Sequence, residues 1–99
     1  MVKINWTNEA EFWLKDIYDY IAEDNPKIAK RVVKDIYNKV QILKSFPQIG
    51  YIYENEDDKE IRILLYGHYR IAYLITDKNH IDILGVFHGS LAIERYLKY

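Results

Sequence analysis

The sequence contains no cysteine. This absence excludes a disulfide framework, a zinc site built from thiolates and a cysteine nucleophile. It fits the reducing cytoplasm, where disulfides are rare. Because 49% of the residues are hydrophobic, the chain can bury an ordinary core without covalent cross-links. Its 99 residues suit one domain, which we expect to span residues 1–99.

The sequence also lacks an apolar run near the roughly 20 residues that a membrane-spanning helix needs. The first segment, MVKINWTNEAEF, turns acidic and amphipathic early, which is not the pattern of a signal peptide. The net charge is -1, which argues against a general nucleic-acid-binding protein. There are no internal repeats, low-complexity segments or flexible linkers. We therefore expect a cytoplasmic protein without a membrane partner.

The N-terminal segment predicts a short strand followed by a helix. VKINW, residues 2–6, alternates apolar and polar side chains, as a strand with one buried face does. Thr7 or Asn8 then provides an N-cap. Apolar residues recur beyond it at helical spacing. We expect this helix to end at about Ala22 or Glu23.

A second amphipathic helix follows at once. Asn25 is a good N-cap, and Pro26 suits the first helical position. An apolar stripe continues to Leu43, and FPQIG then ends the helix, because proline cannot continue it. Two neighbouring helices with so short a link predict an antiparallel hairpin.

The second half of the chain changes to the alternation of β-strands. YIYENEDDKE, residues 51–60, indicates a polar, acidic loop. Turn signals at Gly67 and at DKNH separate the strands that follow. Residues 89–98 predict a short closing helix capped by Ser90. The three predicted strands are EIRILLY (60–66), YRIAYLIT (69–76) and IDILGVF (81–87).

These elements together predict an α+β fold. We expect the N-terminal strand and the helical hairpin to pack on one face of a twisted antiparallel sheet of about four strands. The other face and its edge would then remain open for function.

Four side chains in the second half are candidates for chemistry: Arg62, Arg70, His88 and Tyr96. Tight connections between antiparallel strands would place the two arginines and the histidine on one face. Guanidinium groups bind phosphate oxygens, and histidine exchanges a proton near neutral pH. The set would therefore suit cleavage of a phosphodiester. With RNA, the 2′-hydroxyl would be the nucleophile, and no metal or cofactor is needed.

Structural roles are the alternative for the same side chains. Arg62 and Arg70 could pair with the acids of residues 54–60 or with Asp82. A histidine at a strand end, such as His88, commonly bonds to the backbone. Tyr96 is one of ten tyrosines and could simply pack.

The acidic run formed by Glu54, Glu56, Asp57 and Asp58 has the density of a metal site. It lacks a glycine at the spacing of a calcium-binding loop, however. We therefore interpret the run as a solvated loop and expect no metal.

The sequence resembles the RelE/ParE superfamily of toxins from type II toxin–antitoxin systems. The resemblance spans nearly the whole chain and depends on the order and spacing of four segments. YRIAY, followed by a strand ending in VFHG, is the most specific part. The segments are INWTNEAEFWLKDIYDYIAEDNPKIAKRVV, ILKSFPQIG, EIRILLYGHYRIAYLI and IDILGVFHG.

The resemblance implies a cognate antitoxin that wraps and neutralises the toxin. It also implies one of two targets. RelE-like members cut mRNA in the ribosomal A site, and ParE-like members inhibit DNA gyrase. In the RelE case, Arg70 matches a phosphate-binding arginine, Arg62 lies near a basic residue of the sheet, and His88 and Tyr96 lie near C-terminal catalytic positions.

The ParE branch resembles this chain more closely. Glu60 stands roughly where RelE has a lysine, and its negative charge would oppose RNA. Ribosome-dependent nucleases of the group are usually strongly basic, whereas this chain is slightly acidic. The front segment and the HG after the last strand are also more ParE-like. Arg70 should then face away from the helices, with its charge solvated on an open sheet surface.

Three hypotheses follow. The protein is a ParE-like toxin that engages gyrase, a RelE-like metal-independent endoribonuclease that acts on the ribosome, or a degenerate member that persists only as an antitoxin partner. Codon-periodic cuts in mRNA would identify the second, and weak toxicity on expression would identify the third.

Overall fold

The computed structural model describes residues 2–56 and 59–97. Within these residues, no helix is both long and apolar enough to cross a membrane. The order of helices and strands confirms the α+β class. The elements are β1 (Lys3–Trp6), α1 (Asn8–Ala22), α2 (Pro26–Val40), a 3-10 turn (Gln41–Lys44), β2 (Tyr51–Glu56), β3 (Lys59–Tyr66), β4 (Tyr69–Asp77), β5 (His80–His88) and α3 (Ile93–Tyr96).

Side-chain caps fix the start of both long helices. The Thr7 hydroxyl accepts a hydrogen bond from the Ala10 N–H at 3.1 Å and donates one to the Ile83 carbonyl at 2.7 Å. Asn25 caps α2 by accepting from the Ile28 N–H at 3.2 Å. Thr7 thus satisfies a free helix N–H and also ties α1 to the sheet.

The sheet has five strands in the order β1-β5-β4-β3-β2. β1 runs parallel to β5, and the other three pairs are antiparallel. The expected count of about four strands was one too low, because β2 forms in the segment that we interpreted as an acidic loop. β2 lies at the edge of the sheet, where polar side chains can remain in water.

Both faces of the sheet bury apolar side chains. Successive strand residues point to opposite sides, and each side carries its own apolar set. The expectation of an open second face was therefore wrong. One face packs against α1 and α2 through Leu64, Ile71, Tyr73, Ile81, Ile83 and Val86. The opposite face buries Ile61, Ile63, Ala72 and Phe87 beneath the C-terminal Ile93 and Leu97.

The closing helix α3 is shorter than predicted. It occupies Ile93–Tyr96, and Ala92 stands at its N-cap without a side-chain hydrogen bond. Ser90 bonds to His88 instead of capping a helix. The last predicted helical residue, 98, lies outside the described residues. One short turn is nevertheless enough to place two apolar side chains on the sheet.

α1 also reaches around one side of the sheet. β1 pairs with β5 only as far as Ile83, so the second half of β5 has no strand partner on that side among the described residues. Trp13 of α1 occupies this region. Its ring centroid lies 4.9 Å from that of Phe87 and 5.3 Å from that of Tyr96. This tryptophan joins α1, β5 and α3.

Candidate functional site

The strand register separates the residues that we expected on one face. Arg62 lies opposite Tyr73, and His88 lies opposite Tyr69, so both share the face that packs against α1 and α2. Arg70 lies opposite Phe87, which faces α3. The prediction that Arg62, Arg70 and His88 share one face was therefore wrong. Only the direction of Arg70, away from the hairpin, was right.

Arg62 holds the segment between the 3-10 turn and β2. Its Nε donates to the Glu60 carboxylate in an ion pair. Its Nη1 donates to the carbonyls of Gln48 at 3.0 Å and Gly50 at 2.6 Å. The alternative of pairing with the acids of residues 54–60 is thus confirmed. Glu60, which we considered for its effect on RNA, neutralises this arginine.

Arg70 is half-buried, whereas we expected its charge to be solvated on an open surface. Its Nη2 donates to the carbonyl of Leu91 at 2.6 Å. Its Nε is buried and has no hydrogen-bond partner among the described residues. Asp82, proposed as a partner, accepts from Asn5 instead. Arg70 therefore anchors the segment that leads into α3.

His88 is exposed at the end of β5. Its Nδ1 accepts from the Ser90 N–H at 3.2 Å and lies 2.8 Å from the Ser90 hydroxyl oxygen. A nitrogen that accepts from an N–H carries no proton, so this contact favours the imidazole with its proton on Nε2. The His68 ring stacks at 6.3 Å and the Tyr69 ring meets it edge-on at 5.8 Å.

Arg70 and His88 do border one cavity, although they belong to opposite faces. The cavity measures about 340 Å³ and lies where β4 and β5 meet the turn after Gly67, with His68 and Ser90 also on its wall. Arg62 lies opposite Tyr73, three residues along β4 from Arg70. At about 3.3 Å per residue, Arg62 is therefore displaced from Arg70 by roughly 10 Å along the strand direction. The candidate set is thus divided between two places.

Tyr96 lies on α3 and is 41% exposed. Its ring meets the ring of Trp13 edge-on at 5.3 Å. This packing agrees with the structural alternative for Tyr96. Within residues 2–56 and 59–97, no group of three or more side chains could hold a metal ion. Glu54 and Glu56 belong to β2, while Asp57 and Asp58 lie outside the described residues.

Sequence reasoning missed a groove between α1 and the adjoining ends of β4 and β5. We call this cavity of about 530 Å³ the α1 groove. Its residues on α1 recur at helical spacing, but we used only the apolar members of that pattern, to predict the helix. The groove is lined by Trp13, Asp16, Ile17, Asp19, Tyr20, Glu23, Tyr69, Val86, His88, Ser90 and Leu91.

A second missed surface is the segment from Phe46 to Ile52, which we call the 46–52 segment. It joins the 3-10 turn to the edge strand β2. Four of its large apolar side chains are about half exposed: Phe46 (59%), Ile49 (50%), Tyr51 (49%) and Ile52 (52%). Exposed apolar residues grouped in this way commonly mark a protein-binding surface.

The chain is similar to one protein family and to a solved structure. A family model described as the ParE toxin of the type II toxin-antitoxin system, parDE, matches residues 4–92. A solved structure described as the chromosomal ParDE TA system from P. aeruginosa is similar, with a TM-score of 0.69 and 23% identity. That match covers 89% of this chain and 96% of the other. No curated protein matches the sequence.

Proposed function

Because the chain belongs to the ParE toxin family of type II toxin–antitoxin systems, we propose that it arrests growth by binding DNA gyrase. The family match confirms the resemblance and its ParE branch. As the toxin component of such a pair, the protein has a cognate antitoxin as its partner. Gyrase as the target and the cytoplasm as the compartment are the further steps of the proposal.

The observation that supports binding over catalysis is the use of the two arginines. The Arg62 guanidinium is occupied by a carboxylate and two loop carbonyls. The Arg70 guanidinium is tied to Leu91. A nuclease needs its cations aimed at the scissile phosphate, where they stabilise the charge that develops in the transition state. Here both cations hold the fold, and they lie apart.

The 46–52 segment supplies the kind of surface that a binding toxin needs. Its exposed Phe46 and Ile49 lie beside the edge strand β2, one side of which pairs with no strand among the described residues. Apolar anchors next to an open strand edge allow a partner to bury surface and to add main-chain hydrogen bonds. We therefore assign the first contact with the target to this segment.

The test is expression without antitoxin, with two measurements on the same cells. Trapped gyrase–DNA breaks with intact mRNA are the expected result, and they should persist in Arg70→Ala wherever the variant accumulates as folded protein. Codon-periodic cuts in translated mRNA that disappear in Arg70→Ala would identify the RelE-like alternative instead.

A matched pair of variants tests the proposed surface. Phe46→Ser should lower gyrase trapping by about tenfold or more, as loss of an apolar anchor does. Phe12→Ser is the control, because Phe12 is exposed to a similar degree, at 66%, but lies on α1. Equal trapping by both variants would remove the 46–52 segment from the proposal.

A further inference from the structure

The α1 groove combines carboxylates with aromatic rings. Four side chains lie on one side of α1, because most pairs of them are three or four residues apart. They are Asp16, Asp19 and Tyr20 in the helix and Glu23 at its C-cap. The opposite wall comes from Tyr69 and from the end of β5. The groove is thus a cleft with carboxylates along one wall and aromatic rings on both walls.

The carboxylates on the α1 wall are only partly neutralised by ion pairs. Asp19 pairs with Lys15 at 3.1 Å on the exposed side of the helix. Asp16 and Glu23 form no ion pair within the described part of the chain. No lysine or arginine belongs to the groove lining among those residues. The groove therefore presents a local negative field, although the whole chain is nearly neutral.

The aromatic rings of the groove lie beside these carboxylates. Tyr20 is 77% exposed, so its ring is available to a ligand. Trp13 and Tyr69 are half-buried and hold fixed positions in the lining. Burial, together with the neighbouring Tyr20, raises the pKa of Tyr69, so its hydroxyl stays neutral. A cation in this groove can therefore lie over an aromatic face and beside a carboxylate at once.

A guanidinium satisfies both walls at once. It can stack on an aromatic ring and donate paired hydrogen bonds to a carboxylate, whereas a lysine ammonium lacks the planar fork. Ile17, Val86 and Leu91 add an apolar part to the lining. A side chain next to the arginine in the ligand can pack there. The lining thus favours a short peptide segment with one arginine beside an apolar residue.

We propose that the α1 groove binds an arginine and its apolar neighbour on the antitoxin. This proposal rests on the antitoxin that family membership implies, and it does not depend on gyrase as the target. It places this contact on α1, away from the 46–52 segment. Neutralisation and target binding would then use separate surfaces of the toxin.

The first test uses the peptide acetyl-Ala-Leu-Arg-Leu-Ala-amide and the same peptide with citrulline in place of arginine. Titration followed by amide NMR shifts and tryptophan fluorescence should show saturable binding of the arginine peptide only, centred on Trp13, Tyr69 and His88. Binding should weaken about tenfold in Asp16→Asn/Glu23→Gln, as expected for loss of charge-assisted hydrogen bonds.

Asp24→Asn is the control, because it removes one negative charge next to Glu23 but outside the groove lining. Its affinity for the arginine peptide should equal that of the wild type. Equal binding of the citrulline peptide, no saturable shift, or shifts centred elsewhere would overturn the proposal. Concentration-dependent self-association that Arg31→Gln abolishes would also overturn the proposal. It would mean that the groove binds the exposed basic side of α2 from a second copy of the chain.

The second test is made in cells that also express the cognate antitoxin. Asp16→Asn/Glu23→Gln should remain toxic in its presence, whereas Asp24→Asn should be neutralised. Neutralisation of both variants would overturn the assignment. Gyrase breaks are measured without antitoxin, so failure of this proposal and failure of the gyrase proposal give different results.

Discussion

Tyr73 and Gly50 are joined by a hydrogen bond that fixes the chain between the 3-10 turn and β2. The buried Tyr73 hydroxyl accepts from the Gly50 N–H at 3.0 Å and donates to the Pro47 carbonyl at 2.8 Å. Gly50 is also buried, and a Cβ there would lie 2.6 Å from the carbonyl oxygen of Ile63. The approach therefore requires glycine at this position, and one hydroxyl satisfies two backbone groups.

Replacing Tyr73 by phenylalanine should lower the free energy of unfolding by about 1–3 kcal/mol, because it leaves buried backbone groups without a partner. Urea unfolding followed by tryptophan fluorescence measures the change. Tyr51→Phe is the control, since Tyr51 is 49% exposed on β2, and it should leave the stability unchanged. An equal loss in both variants would show that the Tyr73 hydroxyl has no special role.

Arg70 leads to a prediction in which two effects oppose each other. Arg70→Met removes a charge-assisted hydrogen bond to Leu91 but also removes a buried Nε that lacks a partner. Each effect is worth about 1–3 kcal/mol with opposite sign, so global stability should change by no more than about 2 kcal/mol.

The local effect of Arg70→Met should be larger than the global one. Without the tie to Leu91, the amides of Arg95 and Leu97, which bond within the α3 region, should exchange hydrogen faster. Arg95→Met is the control, because it removes an exposed cation from α3 without touching this tie. Unchanged amide exchange in Arg70→Met would mean that Arg70 does not anchor the segment.

The helices could be predicted from the sequence because their signals are local. A capping side chain and an apolar stripe act within a few residues, so Thr7, Asn25 and Pro26 mark the helix starts correctly. β2 was missed because its alternation is masked by acidic side chains. An edge strand needs apolar residues only where it meets the core, so its composition resembles that of a loop.

The candidate site could be predicted only in part, because it depends on strand register. Residue types identified Arg62 and Arg70, but pairing opposite Tyr73 and Phe87 decides which face each one occupies. The partner of Arg70 could not be foreseen either. Leu91 acts through its backbone carbonyl, which every residue carries and which no sequence pattern reveals.

Tyr37 predicts how stability changes at alkaline pH. Its hydroxyl donates to the Glu11 carboxylate at 2.8 Å and so links α2 to α1, and its ring packs 4.5 Å from that of Trp6. Burial, followed by the hydrogen bond and charge of Glu11, raises the pKa of Tyr37 to about 12. An unfolded tyrosine has a pKa of about 10. The folded state therefore holds this proton more tightly.

The direction of the pH effect follows from that difference. The stability that Tyr37 contributes is fully present below about pH 10 and is lost as the pH rises through the folded value. The difference in unfolding free energy between wild type and Tyr37→Phe should therefore shrink above about pH 10. Comparing the two proteins is necessary, because burial also raises the pKa of Tyr66, Tyr69 and Tyr73.

Glu11→Gln separates the charge of Glu11 from the other two causes of the raised pKa, which are burial and the hydrogen bond. The amide oxygen can still accept the hydrogen bond, but it lacks the negative charge that disfavours tyrosinate. The pKa of Tyr37 should then fall, so the alkaline loss of stability should still begin at about pH 10 but should be smaller and end at a lower pH than in the wild type. The unfolding free energies of the wild type and of Tyr37→Phe could instead change in parallel above about pH 10. In that case the α1–α2 link does not depend on the neutral hydroxyl. Contact of Tyr37 with Trp6 would then account for its contribution.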